Sequence, residues 1–98
     1  MNKELSIATA ARVKVEGRVQ GVGFRYFVYR FAKRNDITGW VRNLDDGSVE
    51  AHFEGPEQKI GQIIQLCHEG PVGSNVKKVS VEEKQPTHQW DEFSFRYE

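Results

Sequence analysis

The glycine-rich segment at residues 17–25 (GRVQGVGFR) has the composition of an anion-binding site. Glycines let the backbone turn so that several N–H groups point at one place. A helix that begins directly after them adds unpaired N–H donors and a partial positive charge. Arg25, in the first turn of that predicted helix, adds a permanent cation with a planar set of donors. Together these groups predict a small site for an anion the size of a phosphate.

Spacing excludes three known kinds of phosphate-binding loop. A nucleotide-binding P-loop needs lysine and then serine or threonine after its last glycine, whereas Phe24 and Arg25 follow Gly23. A dinucleotide-binding loop needs a third glycine at the position of Tyr26. A cysteine phosphatase loop needs its nucleophilic cysteine at the position of Val19. The segment therefore offers phosphate binding without a protein nucleophile.

Composition limits the classes of protein to which the chain can belong. Its 98 residues suffice for one domain, and 14 basic and 14 acidic residues give a net charge of zero. This balance argues against bulk electrostatic attraction to nucleic acid or to a membrane surface. Cys67 is the only cysteine, which excludes an intrachain disulfide and favours a cytoplasmic location. We find no signal peptide and no apolar stretch long enough to span a membrane.

Hydrophobic periodicity predicts the elements that must position the loop. Apolar residues that alternate with polar ones indicate strands, and apolar residues at helical spacing indicate helices. We expect residues 1–10 to form a loosely ordered extension and residues 11–98 to form a single domain. The patterns predict strands at about residues 12–19, 38–43, 48–54 and 76–84, helices at about residues 24–35 and 56–69, and a short last strand at residues 93–97.

The predicted order β-α-β-β-α-β specifies a fold class. Two right-handed crossovers in this order produce an α+β ferredoxin-like sandwich, in which an antiparallel sheet has two helices on one face. The first and third strands form the central pair of such a sheet, and the short last strand is an addition. The sequence alone does not place Asn43, at the end of the second strand, beside the glycine-rich loop.

A resemblance to a known family rests on residues 17–25 (GRVQGVGFR) and residues 39–43 (GWVRN), with support from residues 46–49 (DGSV) and 93–97 (FSFRY). These segments are similar in order and spacing to those of the acylphosphatases, small enzymes that hydrolyse carboxyl-phosphate anhydrides. The resemblance extends over residues 11–97. It implies the ferredoxin-like fold, no metal, no cofactor, no covalent intermediate, and hydrolysis of an acyl phosphate to a carboxylate and inorganic phosphate.

The same resemblance implies roles for individual residues. Arg25 corresponds to the phosphate-binding arginine and Asn43 to the asparagine that orients the attacking water. An amide is a poor base, so Asn43 would position the water without deprotonating it. Some acylphosphatases have cysteine at the position of Gly23, which contributes only its backbone. The implied phosphate cradle consists of the backbone N–H groups of Gln20, Gly21, Val22, Gly23 and Phe24.

Two other functions remain open at this stage. RNA-recognition domains share the order of elements and stack bases on aromatic residues of their central strands. Here the first and third strands offer only Phe53 for stacking, among residues such as Val13 and Val15. The second alternative keeps the anion cradle in a regulatory or carbamoyl-phosphate-handling module of a larger assembly, although the length of the chain favours a free-standing enzyme.

We therefore expect a small-molecule acyl phosphate as the substrate and no nucleic-acid or membrane partner. Inorganic phosphate or sulfate is expected to bind the loop as well, and we expect a monomer. We predict that Tyr26 and Trp40 pack in the structure rather than stack on substrate. His52, His68 and His88 fall on different predicted elements without the spacing of metal ligands, which predicts no metal site.

Overall fold

Strands and helices follow one another in the order that the periodicity predicts. The computed structural model describes residues 7–97, so most of the predicted N-terminal extension lies outside the described residues. The elements are β1 (Ala8–Arg18), α1 (Phe24–Arg34), β2 (Thr38–Asn43), β3 (Val49–Pro56), α2 (Glu57–Glu69), β4 (Asn75–Lys84) and β5 (Phe93–Phe95).

The five strands form one sheet in the order β4-β1-β3-β2-β5. β1 and β3 are the central pair, as the fold class requires, and the first four strands pair antiparallel. β5 pairs parallel with β2, so the complete sheet is mixed rather than antiparallel. The connection after β4 crosses from one edge of the sheet to the other. Since β5 is parallel to β2, and β2 runs opposite to β4, β5 also runs in the direction opposite to β4. The predicted ferredoxin-like fold is confirmed with this one addition.

Both helices cover the same face of the sheet and enclose the core. Val28 of α1, Ile63 of α2 and Phe53 of β3 are completely buried there. Alternation along each strand directs every second side chain into this layer. The core is built from Ala11, Val13, Val15, Val19, Phe24, Val28, Ala32, Ile37, Val41, Val49, Ala51, Phe53, Ile60, Ile63, Cys67 and Phe93.

β1 begins at Ala8, earlier than the predicted start at residue 12. β3 continues to Pro56, and its end pairs with Ala8 in the antiparallel register. The backbone of the residues before Arg12 therefore has a strand partner on β3, although their small and polar side chains carry little alternation. Ala8 to Ala10, which the sequence assigns to the extension, are part of β1.

The connection between β4 and β5 covers the opposite face of the sheet. Hydrogen bonds to Glu54 of β3 hold this connection against the sheet. The Glu54 carboxylate is buried and accepts hydrogen bonds from the His52 ring at 2.9 Å, from the Thr87 backbone at 3.0 Å and from the His88 backbone at 2.9 Å. His52 in turn accepts a hydrogen bond from Arg12 at 3.1 Å. Burial raises the pKa of Glu54, but these hydrogen bonds outweigh it and lower the pKa to about 2.

Candidate active site

The glycine-rich loop connects the end of β1 to the start of α1. Gly21 and Gly23 have φ angles of 75° and 81°, in the left-handed region. Residues with a side chain are disfavoured there by about 1–2 kcal/mol, which explains the glycines. Gly23 is the N-cap of α1, and its carbonyl accepts the first helical hydrogen bond from Phe27 at 3.0 Å. The first turn of α1 contains no acidic residue, so no carboxylate competes with an anion for its N–H groups.

A cavity of about 270 Å³ opens at this helix N-terminus and contains both candidate catalytic side chains. The fold brings Asn43, at the end of β2, to the same cavity as Arg25, which the sequence alone did not predict. Neither Gln20 nor Val22 of the predicted cradle is among the lining residues. The lining consists of Val19, Gly21, Gly23, Phe24, Arg25, Tyr26, Asn43, Phe95 and Tyr97.

Arg25 forms no ion pair with any residue in the described range 7–97. Aromatic rings surround its guanidinium instead, with the Cζ atom 6.0 Å from the Phe95 ring centre and 5.6 Å from that of Tyr97. Such rings orient a guanidinium without neutralising it. The positive charge of Arg25 is therefore available to an anion in the cavity.

Asn43 has a buried Oδ1 oxygen that finds no hydrogen-bond donor among the described residues. Its backbone is fixed by pairing with Val49 at the end of the β2–β3 ladder. A buried polar atom without a partner is costly and is a common feature of functional sites. Asn43 thus lines the cavity from a rigid strand, with a buried amide oxygen whose hydrogen-bonding capacity is unused.

Gln20 contributes to the site through its side chain, which the sequence analysis missed. Its Nε2 donates to the carbonyl oxygens of Leu44 at 2.8 Å and of Ser48 at 2.9 Å. These two carbonyls belong to the β2–β3 turn that follows Asn43. Gln20 therefore links the glycine-rich loop to the turn beside Asn43. The signal in the sequence was a long amide side chain, able to donate twice, within an otherwise apolar loop.

The β2–β3 turn is itself braced by Asp46. The Asp46 carboxylate accepts hydrogen bonds from the backbone and hydroxyl of Ser48 and pairs with Lys14 at 2.9 Å. These donors hold the pKa of Asp46 well below its usual range. Asp46 and the glycine after it form a pair typical of hairpin turns, and Asp46 therefore also supports the segment to which Gln20 binds.

Aromatic side chains form the outer part of the cavity. Tyr26 is 58% exposed and Tyr97 is 80% exposed, and both line the site. The prediction that Tyr26 packs inside the structure is wrong, because the first turn of α1 directs its side chain away from the core. The same prediction for Trp40 is confirmed, since Trp40 is 3% exposed.

Residues 7–97 contain no group of three or more His, Cys, Asp and Glu side chains arranged to bind a metal ion. Within the same residues, no helix has both the length and the apolar character needed to cross a membrane. Cys67 is buried in the core, where desolvation raises the pKa of its thiol to about 12.

Proteins of one known family are similar to this chain in both sequence and structure. A sequence model of the family described as acylphosphatase matches residues 11–95. An acylphosphatase of Bacillus licheniformis is 45% identical over 86 residues, which cover 88% of this chain and 96% of the relative. The crystal structure of the Bacillus subtilis acylphosphatase has a TM-score of 0.87 and 42% identity, with coverage of 91% of this chain and 99% of that one.

A larger protein is similar as well. Full-length HypF, in its phosphate- and nucleotide-bound form, has a TM-score of 0.82 and 26% identity, and the match covers 97% of this chain but 12% of HypF. The relatives from the two Bacillus species, in contrast, match over almost their whole length. With the family model covering most of its length, this chain belongs to the acylphosphatase family.

Proposed function

We propose that this chain hydrolyses acyl phosphates in the cavity at the N-terminus of α1, with Arg25 as the phosphate-binding cation and Asn43 as the water-orienting amide. The observation that supports the proposal most strongly is that both side chains line one cavity beside left-handed loop glycines. Acylphosphatase activity itself follows from membership of the family. The roles of the individual residues are the part that experiment has to test.

Phosphate binding relies on positive charge and on backbone donors. In the proposed complex the phosphoryl oxygens accept hydrogen bonds from N–H groups between Gln20 and Phe24 and from the Arg25 guanidinium. Arginine stays protonated at any working pH, so this charge is constant. Preorganised donors of this kind stabilise the charge that develops on the transferring phosphoryl group.

Hydrolysis requires a water molecule in line with the bond that breaks. In the proposed mechanism the side-chain amide of Asn43, which lines the cavity, hydrogen-bonds to that water and so fixes its position. The water oxygen bonds to phosphorus while the bond from phosphorus to the carboxylate oxygen breaks. The leaving carboxylate is a weak base and needs no general acid. The lining residues include neither a carboxylate nor a histidine, and an oxygen of the substrate takes the proton of the water.

The ligands expected for the loop follow from the same chemistry. The substrate is a small-molecule acyl phosphate, and inorganic phosphate, the product, competes with it. Sulfate has the same shape and is expected to compete in the same way. A monomeric state and a cytoplasmic location also stay predictions, and the single cysteine supports the second of them.

The experiment compares the hydrolysis of benzoyl phosphate in excess EDTA by the wild type and two variants. We expect Arg25→Ala to lower kcat/KM by about 1,000-fold or more and Asn43→Ala to lower it by about 100-fold. Arg18→Ala, an exposed arginine at the end of β1, is the matched control and should retain the wild-type rate. Circular dichroism confirms folding. Arg25→Ala activity within threefold of the wild type would contradict the assignment.

The similarity to HypF supports a second candidate function, that of a phosphate-binding module in a larger protein. The same assay separates the two functions. A wild-type chain that hydrolyses no acyl phosphate, but binds inorganic phosphate through Arg25, would favour the module. Turnover that depends on Arg25 and Asn43 would favour the enzyme.

A further inference from the structure

A second cavity, which we call the helix groove, lies next to the phosphate site. Its volume is about 390 Å³, within the usual range for small-molecule sites. It lies on the side of α1 that faces Leu66 of α2 and the following Pro71. Most of its lining is apolar or aromatic. The lining residues are Gly23, Tyr26, Phe27, Arg30, Phe31, Arg34, Leu66 and Pro71.

The helix groove and the phosphate cavity share two lining residues, Gly23 and Tyr26. Gly23 has no side chain to separate the two spaces, and a Cβ atom placed there would meet nothing within 4 Å. Tyr26 is more than half exposed and extends along both. A ligand held by its phosphate at the loop therefore reaches the groove by passing over Gly23.

Helical periodicity explains why α1 offers two different sides to a ligand. Arg25 and Tyr29 lie on the flank that faces β5, where Tyr29 stacks on Phe95 with the ring centres 4.7 Å apart. Phe27 and Phe31 lie on the opposite flank, towards α2, because residues three and four apart share one side of a helix. The first flank supplies charge to the phosphate, and the second supplies an apolar surface.

Arg30 and Arg34 line the open side of the groove. Neither forms an ion pair within residues 7–97, and Arg30 lies over the Tyr26 ring with its Cζ atom 5.8 Å from the ring centre. Arginine side chains commonly place their methylene stems on apolar surface while the charged group stays in water. These two residues extend the apolar walls and disfavour a cationic ligand.

We infer that the helix groove receives the acyl group of the substrate, and that the enzyme prefers acyl phosphates with an extended apolar chain. This inference rests on the proposed function, since the phosphate at the loop is what aligns the chain. The groove follows α1 from Gly23 to Arg34, a distance of about 16 Å at the helical rise of about 1.5 Å per residue. A straight chain of medium length fits that distance.

Chain length provides the first test. A methylene that is fully buried improves binding about fourfold, and we expect about twofold per methylene in an open groove. The kcat/KM of the wild type should therefore rise steadily from acetyl through butyryl to octanoyl phosphate. A flat series with active hydrolysis of acetyl phosphate would overturn the groove assignment and leave the proposed function intact.

A variant of the groove provides the second test. Leu66→Gln places a polar amide in the wall, at a residue that does not line the phosphate cavity, and glutamine is a good helix former. We expect it to keep kcat/KM for acetyl phosphate within about twofold of the wild type and to lose most of the gain for octanoyl phosphate. Val72→Gln, at a fully exposed apolar position outside the groove, is the matched control.

The outcomes of the variant test are also decisive. Equal losses for acetyl and octanoyl phosphate in Leu66→Gln would indicate a structural effect and overturn the inference. An unchanged chain-length series in Leu66→Gln would overturn it as well. If the wild type hydrolyses none of the acyl phosphates, the proposed function fails, and the inference about the groove fails with it.

Discussion

Replacing Gln20 tests whether the phosphate loop and the β2–β3 turn act as one unit. In the structure the Gln20 amide donates two hydrogen bonds, to the carbonyls of Leu44 and Ser48. Gln20→Met preserves the length of the side chain and removes both donors. Gln20→Glu preserves its shape, but its carboxylate can only accept hydrogen bonds, and it places a negative charge near the phosphate site.

The magnitude follows from the two lost hydrogen bonds. Each contributes about 1 kcal/mol net to stability, so we expect Gln20→Met to lower the free energy of unfolding by about 2 kcal/mol. The catalytic effect is larger than stability alone predicts, because a shift of about 1 Å between reacting groups costs about 100-fold in rate. We therefore expect kcat/KM to fall by about 10- to 100-fold in Gln20→Met and further in Gln20→Glu.

The assay measures benzoyl phosphate hydrolysis together with urea unfolding for each variant. Wild-type kinetics in Gln20→Met would refute the coupling, even if its stability fell as expected. Gln20→Glu distinguishes charge from coupling, because its additional loss should appear mainly as a higher KM for the anionic substrate. Identical KM values in the two variants would contradict the electrostatic part of the argument.

Three further predictions concern stability and the core. Glu54→Gln should lower the free energy of unfolding at pH 7 by about 3 kcal/mol, the value of a pKa depressed from 4.5 to about 2. A pKa that is lower in the folded than in the unfolded protein stabilises the fold at pH values above the unfolded pKa. In the wild type this contribution is therefore complete above about pH 4.5 and disappears as the pH falls towards 2. Urea titrations at several pH values measure it. Gly39→Ala should destabilise the fold by more than about 3 kcal/mol, because its Cβ would lie 1.9 Å from the His52 carbonyl oxygen. At Gly61 in α2 an added Cβ meets nothing within 4 Å, so Gly61→Ala should raise the free energy of unfolding by about 0.5–1 kcal/mol. Cys67, with its pKa near 12, should react with a thiol reagent at pH 8 only at the rate of unfolding, and rapid labelling of the native protein would contradict its burial.

The elements of the fold were predictable because periodicity and turn chemistry agree along most of the chain. Val13 and Val15 alternate with polar residues in β1, and Asp46 with the glycine after it marks the β2–β3 turn. The start of β1 was not predictable, since Ala8 and Thr9 are in a strand because they pair with the last two residues of β3. That pairing is a tertiary contact, and local propensity does not contain it.

The site was predictable where it is local and unpredictable where it depends on topology. Gly21, Gly23 and Arg25 lie close together in the sequence, so their spacing alone indicates anion binding. Asn43 reaches the same cavity only through the placement of β2 in the sheet. The side chain of Gln20 acts on a turn that is more than 20 residues away, with a separation of 24 to the carbonyl of Leu44.

The strand residues that the sequence offers for RNA stacking do not lie on the face of the sheet that the helices leave open. Val13, Val15 and Phe53 face the helices and are part of the core. The opposite face has Trp40 and His52 instead, and both are buried, at 3% exposure each. Their rings are in contact with other side chains, as shown by the His52 and Trp90 ring centres at 4.9 Å. A sequence pattern identifies two faces of a strand, but only the placement of the helices decides which one is covered.

The two helices of this chain without net charge differ in how the partial charge at each N-terminus is compensated. α2 begins with Glu57 in its first turn, which neutralises the partial charge of that helix N-terminus. α1 has no acidic residue in its first turn, begins after a left-handed glycine, and presents Arg25 without an ion pair among residues 7–97. The basic residues Lys33 and Arg34 lie at its other end, where they complement the dipole. Of the two helix N-termini, the one beside Asn43 is thus the one that stays open to a phosphoryl group, and a single acidic substitution in the first turn of α1 should abolish that advantage.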